Sequence, residues 1–309
     1  MKPSLPQVLD STMIVDFRSC YERFRNRYML HLMGKDKSGD LIAGGAIAAA
    51  IEAVRIGVYQ DGKDVPNSLI PAYKAFVKEW RDYTPPENSK SFKTFGNCWS
   101  AVEQYFTWKP PHTDELQPLR TRDNKPFVEF SFAVPLPILH PETGEPFIYV
   151  GRFDLLGTWM DRTVVSDEKT MSQMGSNWVS QWGLRNQFMG YCWGAQQYGY
   201  KCNDALIRGI CLTKEIKLAE ASANYPDWML ARWFAQLLQD VNRMVEYWRE
   251  DARDYNFGNA CTEYGGCAYR DLCVSRKPEV WFQHYNRAKW NPIHRRLDPI
   301  EPLEIGEVA

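Results

Sequence analysis

Residues 147–170 read FIYVGRFDLLGTWMDRTVVSDEKT, and the fold assignment grows from this stretch. It holds two strand-like apolar runs, 147–159 and 163–170, separated by the turn signal Met160–Asp161–Arg162. Asp154 stands near the end of the first run, and Asp167 and Lys169 stand two residues apart on the second. Side chains alternate along a strand, so Asp167 and Lys169 share a face while Glu168 points away. Hairpin pairing of the two runs would bring Asp154 beside Asp167. Two carboxylates at one point repel unless a cation joins them, and hard oxygen ligands suit Mg²⁺ or Mn²⁺. A neighbouring lysine can stabilise charge that develops on a phosphate. The plainer reading is a pair of solvated carboxylates near a turn.

Outward from this centre the pattern is mixed. Upstream, FVEFSFAV alternates, with Val128, Phe130, Phe132 and Val134 on one face and Glu129 and Ser131 on the other. Before it the chain reads as helical. Ser11 and Thr12 are N-cap residues for a first helix, and a Gly44–Gly45 turn leads into the pattern AIAAAIEAVRIGVY. Two more helices fall within 67–82 and 94–108. Downstream come a helix from about Trp178 to Tyr198, a buried strand ALIRGICLT (205–213) and an amphipathic helix over 226–250. Three strands, a helix, a strand and a helix under a helical cap make an α/β domain with a central mixed sheet. The expected division is an N-terminal helical region (1–125), a core (126–255) and a cysteine-bearing, basic end (256–309), integrated as one domain.

The flanking residues carry a resemblance. GRFD, then DEKT, then Gln187 and Tyr191 four apart on one helical face resemble, in order and spacing, the signature of RecB-like nucleases of the PD-(D/E)XK superfamily. The resemblance implies a restriction-endonuclease-like core. It also implies that Asp154, Asp167 and the Glu168 carbonyl hold Mg²⁺ or Mn²⁺, that Lys169 is catalytic, and that Gln187 and Tyr191 border the site. Glu129 matches an acidic residue that some relatives carry on the preceding strand. One position departs from the pattern. Where these nucleases carry Gly-x-x-x-His-x-x-x-Glu on an early helix, this chain has Gly44 to Glu52 with Ala48 at the histidine position. A methyl group binds no metal, so the departure puts activity in question.

Eight cysteines punctuate the sequence, and Cys261, Cys267 and Cys273 fall at intervals of six. With Cys20 they resemble the four-cysteine set of iron–sulfur RecB-like nucleases, AddB-type and CRISPR-adaptation enzymes among them, which implies a [4Fe–4S] cluster. Zn²⁺ is the competing occupant, although the spacing differs from the paired C-x2-C of zinc ribbons. Cys98, Cys192, Cys202 and Cys211 lie in apolar patterns and read as buried thiols.

Composition sets the outer bounds. With 309 residues, 44% hydrophobic and 14% aromatic, the chain can bury a sizeable core. Its net charge of -1 is unlike the usual basic balance of nucleic-acid binders, although a groove can be locally basic on a neutral protein. Arg18, Arg23, Arg25, Arg27, Lys289, Arg295 and Arg296 are candidate phosphate contacts. Most of the 12 tryptophans, Trp228, Trp233 and Trp248 among them, fit buried helix faces. No apolar run long enough for a membrane span and no secretory start is read, so a cytoplasmic location is expected. No phosphate-binding G-x-x-x-x-G-K-[ST] occurs, so no ATP motor is expected in this chain. Together these features predict a metal-dependent exonuclease acting on DNA, single-stranded or as duplex ends, in recombination, repair or phage DNA metabolism. A single-strand-annealing or recombination protein is the expected partner. The alternatives are a catalytically impaired DNA-binding or assembly protein and a nuclease that trims DNA for CRISPR adaptation.

Overall fold

The computed structural model describes residues 2–34, 39–85, 91–262, 266–294 and 296–299. Arg295, a candidate phosphate contact, lies outside them. Helices are α1 (Ser11–Ser19), α2 (Tyr21–Phe24), α3 (Gly39–Arg55), α4 (Val65–Trp80), α5 (Phe95–Trp108), α6 (Asn186–Gln197), α7 (Asp227–Arg249), α8 (Asn259–Thr262) and α9 (Arg270–Val274). Strands are β1 (Val8–Leu9), β2 (Leu32–Gly34), β3 (Gln117–Pro118), β4 (Val128–Leu139), β5 (Pro146–Trp159), β6 (Arg162–Met171), β7 (Asp204–Leu212), β8 (Ile216–Asn224), β9 (Tyr285–Asn291) and β10 (Arg296–Pro299). The chain divides into two compact units. One comprises residues 1–36, 132–151 and 231–309, and the other residues 37–131 and 152–230.

The second unit carries the acidic stretch. β5 and β6 form the expected hairpin, with Trp159 opposite Arg162 and Leu155 opposite Ser166. Its two-residue turn, Met160–Asp161, takes positive φ at both positions (48° and 61°). That geometry matches the right-handed twist of the strands it joins. β7 then runs parallel to β6, with Asp167 opposite Ile207 and Lys169 opposite Gly209, and β8 closes antiparallel on β7. Parallel neighbours need a crossover, and α6 supplies it. Every residue of β7 is buried, as expected of a strand covered on both faces.

Helices α3, α4 and α5 pack together over one face, in a cluster that includes Ala46, Ile47, Ala50, Phe76, Trp80 and Tyr105 with Ile210 and Leu212 of β7. Asp64 caps α4 by accepting from Asn67 N, and Thr94 caps α5 by accepting from Asn97 N. Gly44 and Gly45 lie inside α3, contrary to the turn expected there. At Gly44 the reason is close approach, because a Cβ there would stand 3.1 Å from Thr170 Oγ1.

Other expectations change with the packing. By length and composition, the helix running from Gly39 to Gln60 is apolar enough to cross a membrane, although no such run was expected. Half of its most apolar window is buried, consistent with its place in the helical cluster. The helix expected from Trp178 begins at Asn186; residues 180–182 form only a 3₁₀ turn. β8 was not anticipated, since IKLAEASAN is alanine-bearing and poor in the aromatic and β-branched residues that signal strands. Trp228 is 56% exposed, not part of a buried face.

In the first unit, α1 is capped by Asp10, which accepts from Met13 N at 2.8 Å, in place of Ser11 or Thr12. Phe17, Tyr21 and Phe24 meet edge-to-face or stacked, and Tyr247 of α7 packs on them. β2, β9 and β10 form a small antiparallel sheet. β1 lies parallel to the start of β5, with Val8 opposite Ile148.

Candidate active site and cysteine cavity

β5 and β6 stop pairing just where the acidic residues begin. Leu155 opposite Ser166 is the last matched pair. Beyond it Asp154 Oδ2 accepts the backbone N–H of Glu168 at 2.9 Å, so a carboxylate replaces the next rung of the ladder. Asp167 Oδ1 meets the Lys169 ammonium at 2.5 Å. Asp167 Oδ2 accepts from Gln187 Nε2 at 3.1 Å, and the same amide donates to Tyr191 Oη at 2.8 Å. Gln187 and Tyr191, four apart on α6, thus meet on one face of the helix, and Gln187 reaches β6. Phe153 and Phe188 wall the site against Tyr191, and the Lys169 ammonium lies 5.6 Å from the Phe188 ring centre.

Glu129 joins this group from β4. Its backbone takes a positive φ of 51°, which bends the strand locally, and its carboxylate pairs with Arg152 at 2.8 Å. Burial pushes the Asp154 carboxyl well above the usual carboxylate range, and the negative charges of Asp167, Glu129 and Glu168 push it further. Lys169 only partly offsets them. Negative charge is thus in local excess, the condition that a divalent cation relieves.

Glu168 behaves differently from its neighbours. As alternation requires, its side chain leaves the Asp167–Lys169 face and meets Arg55 and Tyr105. Burial alone would raise its pKa, but the Arg55 guanidinium, aided by Arg208 and Tyr105, holds it below the ordinary value. Ala48 is exposed on α3. It lies one turn from Gly44, which abuts Thr170, and two turns from Arg55, which grips Glu168. Arg55, Tyr105, Arg152 and Arg208 were not singled out in the sequence. The legible signal was charge where none is expected: Arg208 interrupts an otherwise apolar strand, and Arg55 an apolar helix.

The cysteines converge in the first unit. Cys20 breaks α1 from α2 in an extended conformation (φ −167°). Asn256 Nδ2 donates to Ser19 O at 2.7 Å, and Arg253 forks onto Glu22 at 2.6 and 2.9 Å, so the segment after α7 lies against this break. Tyr269 donates to Leu32 O at 2.7 Å. Cys20, Cys261, Cys267 and Cys273 all line one cavity of about 80 Å³, whose walls include Tyr255, Phe257 and Tyr269. Burial raises the thiol pKa values of Cys267 and Cys273, the latter to about 11, with Glu22 and the other cysteines adding to it. Cys98, Cys192, Cys202 and Cys211 are buried thiols. Among the described residues, no three His, Cys, Asp or Glu side chains are gathered closely enough to hold a metal ion as they stand.

Three of the arginines near Cys20 are engaged in ion pairs. Arg23 and Arg27 pair with Asp16 at 2.9 and 3.0 Å, Arg18 pairs with Asp240 at 2.6 Å, and Arg25 is buried. Buried Asp16 and Asp240 require these cations as partners.

A family model for the PD-(D/E)XK nuclease superfamily matches residues 12–274. The chain belongs to this superfamily. The mixed sheet flanked by helices is consistent with its fold. Among solved structures, the chain is similar to a candidate exonuclease from Eubacterium rectale. That match has 13% identity, covers 83% of this chain and 86% of the other, and has a TM-score of 0.45. A protein named SSO0001 matches at 11% identity over 76% and 84% of the two chains, with a TM-score of 0.32. No curated protein matches the sequence.

Proposed function

We propose that this superfamily member is a DNA exonuclease dependent on Mg²⁺ or Mn²⁺, hydrolysing phosphodiester bonds at DNA ends in recombination, repair or phage DNA metabolism. The observation that carries the reading is the convergence of Asp154, Asp167, Lys169 and Gln187 at the parted ends of β5 and β6. Asp154, Asp167 and the Glu168 carbonyl would hold the cation. When bound, it supplies Lewis-acid activation of water and neutralises charge on the scissile phosphate. Gln187 holds Asp167 Oδ2, and Oδ1 meets Lys169. Lys169, 29% exposed and ion-paired to Asp167, stabilises the negative charge that builds on the phosphate oxygens as water attacks. Tyr191 and Glu129 border the same point, the first orienting the Gln187 amide and the second adding to the negative field.

We further propose that Cys20, Cys261, Cys267 and Cys273, which line one cavity, would hold a [4Fe–4S] cluster. The four thiols share a cavity of about 80 Å³ with Tyr255, Phe257 and Tyr269, and Zn²⁺ is the competing occupant. The thiols must ionise to bind, so the raised Cys267 and Cys273 values make loading favour higher pH. Ligation by Cys20 together with Cys261, Cys267 and Cys273 would tie together segments about 240 residues apart, closing a loop whose ends are otherwise entropically costly to join.

A second reading rests on Ala48: without an imidazole there, the chain would bind DNA but cleave it poorly, serving recombination as an assembly factor. Digestion of end-labelled single- and double-stranded DNA with Mg²⁺ or Mn²⁺ separates the two. Metal-dependent shortening from ends, lost in Asp167→Ala, supports the nuclease. DNA binding with no product at any metal concentration would reject it.

A further inference from the structure

Glu168 sits between Asp167 and Lys169, yet its own side chain is the end of a buried chain of charges on the opposite face of the sheet. Arg55 grips it with both terminal nitrogens, Nη1 to Oε2 at 2.8 Å and Nη2 to Oε1 at 2.5 Å. Tyr105 Oη donates to Oε1 at 2.8 Å. Arg208, opposite Glu168 in the parallel ladder, donates to the Tyr105 oxygen at 3.3 Å and forks onto Asp114 at 2.5 and 2.6 Å. Its Nε reaches Glu220 at 2.9 Å, and Lys109 meets Glu220 at 3.2 Å. Arg55, Glu168, Arg208 and Asp114 expose 5% or less of their side chains.

Stability alone does not account for so much buried charge. A buried ion pair gains little over apolar groups of equal volume, because desolvation consumes most of the attraction. What the network provides is direction. A carboxylate held by three hydrogen bonds from two helices has no alternative rotamer, and it fixes the peptide from which it springs.

We propose that Arg55, with Tyr105 and Arg208 behind it, is a positioning residue for the acidic site: by clamping Glu168 it sets the peptide between Asp167 and Lys169. The Glu168 N–H is thereby aimed at Asp154 Oδ2, and Asp167 and Lys169 are obliged to project together on the far face. The same clamp registers α3 on β6, and α3 carries position 48 two turns before Arg55. This rests on the metal-site reading above, so its test needs one arm that does not involve metal.

The decisive variant is Arg55→Met/Glu168→Met in the full chain, which removes the pair, keeps its volume and strands no charge. Mn²⁺ affinity is read by titration of free Mn²⁺ signal in electron paramagnetic resonance, and order at residues 167–169 by amide hydrogen exchange without metal. The expected result is a melting temperature close to the parent's, Mn²⁺ binding weakened about tenfold, as for other residues that orient metal ligands, and faster exchange over 167–169. Arg55→Lys, which keeps charge but loses the fork, should fall between. Unchanged affinity together with unchanged exchange overturns the proposal. Should the double variant not fold, Arg55→Lys alone decides by the same two readouts. A parent that binds no Mn²⁺ overturns the metal-site reading, while the exchange arm still judges the clamp.

Discussion

Asp154→Asn is the perturbation that tests the electrostatic logic of the site most directly. Asparagine keeps the shape and keeps an oxygen to accept the Glu168 N–H, now held at 2.9 Å. What it removes is one negative charge from a half-buried group that already contains Asp167 and Glu129. The folded protein holds the Asp154 proton more tightly than the unfolded chain, whose aspartates titrate near roughly 3.9. Between the unfolded and the folded pKa the native state therefore binds more protons, and stability falls as pH rises through that window. Above the folded pKa the penalty is complete. In EDTA at neutral pH, Asp154→Asn is expected to be more stable than the parent by about 0.5–2 kcal/mol, the usual yield of a relieved functional site. For a chain of this size that corresponds to roughly 1–4 °C in melting temperature. Well below the unfolded pKa the advantage should disappear, since the parent is then protonated in both states. Manganese reverses the order: at a hundred times its Kd it stabilises the parent by about 2.7 kcal/mol, and the variant gains nothing. Thermal melts of both proteins across pH, with EDTA and with Mn²⁺, give all four comparisons. A variant less stable than the parent in EDTA at pH 7, or equally stabilised by Mn²⁺, would refute the reasoning.

Three further outcomes follow from the same geometry. Lys169→Ala should bind Mn²⁺ at least as well as the parent, because it removes a cation 2.5 Å from Asp167, while kcat on DNA falls about 100-fold or more; parallel loss of both would make the lysine structural. Ala48→His, at an exposed position on α3, should lower the metal concentration needed for half-maximal cleavage, and equal metal curves for the two proteins would show that the imidazole is not wanted there. Protein purified without oxygen should contain iron and sulfide, with Cys20→Ala and Cys267→Ala each losing both along with solubility; stoichiometric zinc without iron would reject the cluster.

The hairpin at 147–170 was legible because three independent signals agree there. The runs are apolar and alternate, the turn residues fall between them, and the charged positions land on one face. What followed was less legible for physical reasons. β8 carries Ala219, Ala221 and Ala223 at its inward or half-buried positions, and alanine has no strand signature of its own; pairing with β7 along its whole length makes it a strand. The stretch from Trp178 to Arg185 has helical spacing of aromatics, but Trp178 is drawn to the bare backbone of Gly209, where a Cβ would lie 2.5 Å from the indole. Tertiary packing there outweighs local propensity. The basic run around Cys20 reads as a set of phosphate contacts, and in the structure Arg18, Arg23 and Arg27 are engaged by Asp16 and Asp240, distant in sequence or unremarkable in pattern.

At the site itself the sequence indicated the residues of one face and was silent on the other. Asp154, Asp167, Lys169, Gln187 and Tyr191 can be placed from two periodicities, two for strands and 3.6 for the helix, because each acts within its own element. Arg55, Tyr105 and Arg208 act across elements, from a helix, a second helix and a neighbouring strand, and no spacing rule relates them. Yet the alternation that puts Asp167 and Lys169 together also demands that Glu168 point into the interior, where an ionised carboxylate cannot stand alone. An acidic residue between two site residues on a central strand therefore predicts a buried cation on the far side. Arg55 and Arg208, both embedded in apolar patterns, are buried cations that meet this demand. The same reasoning applies wherever the residue between two ligands of a strand is charged.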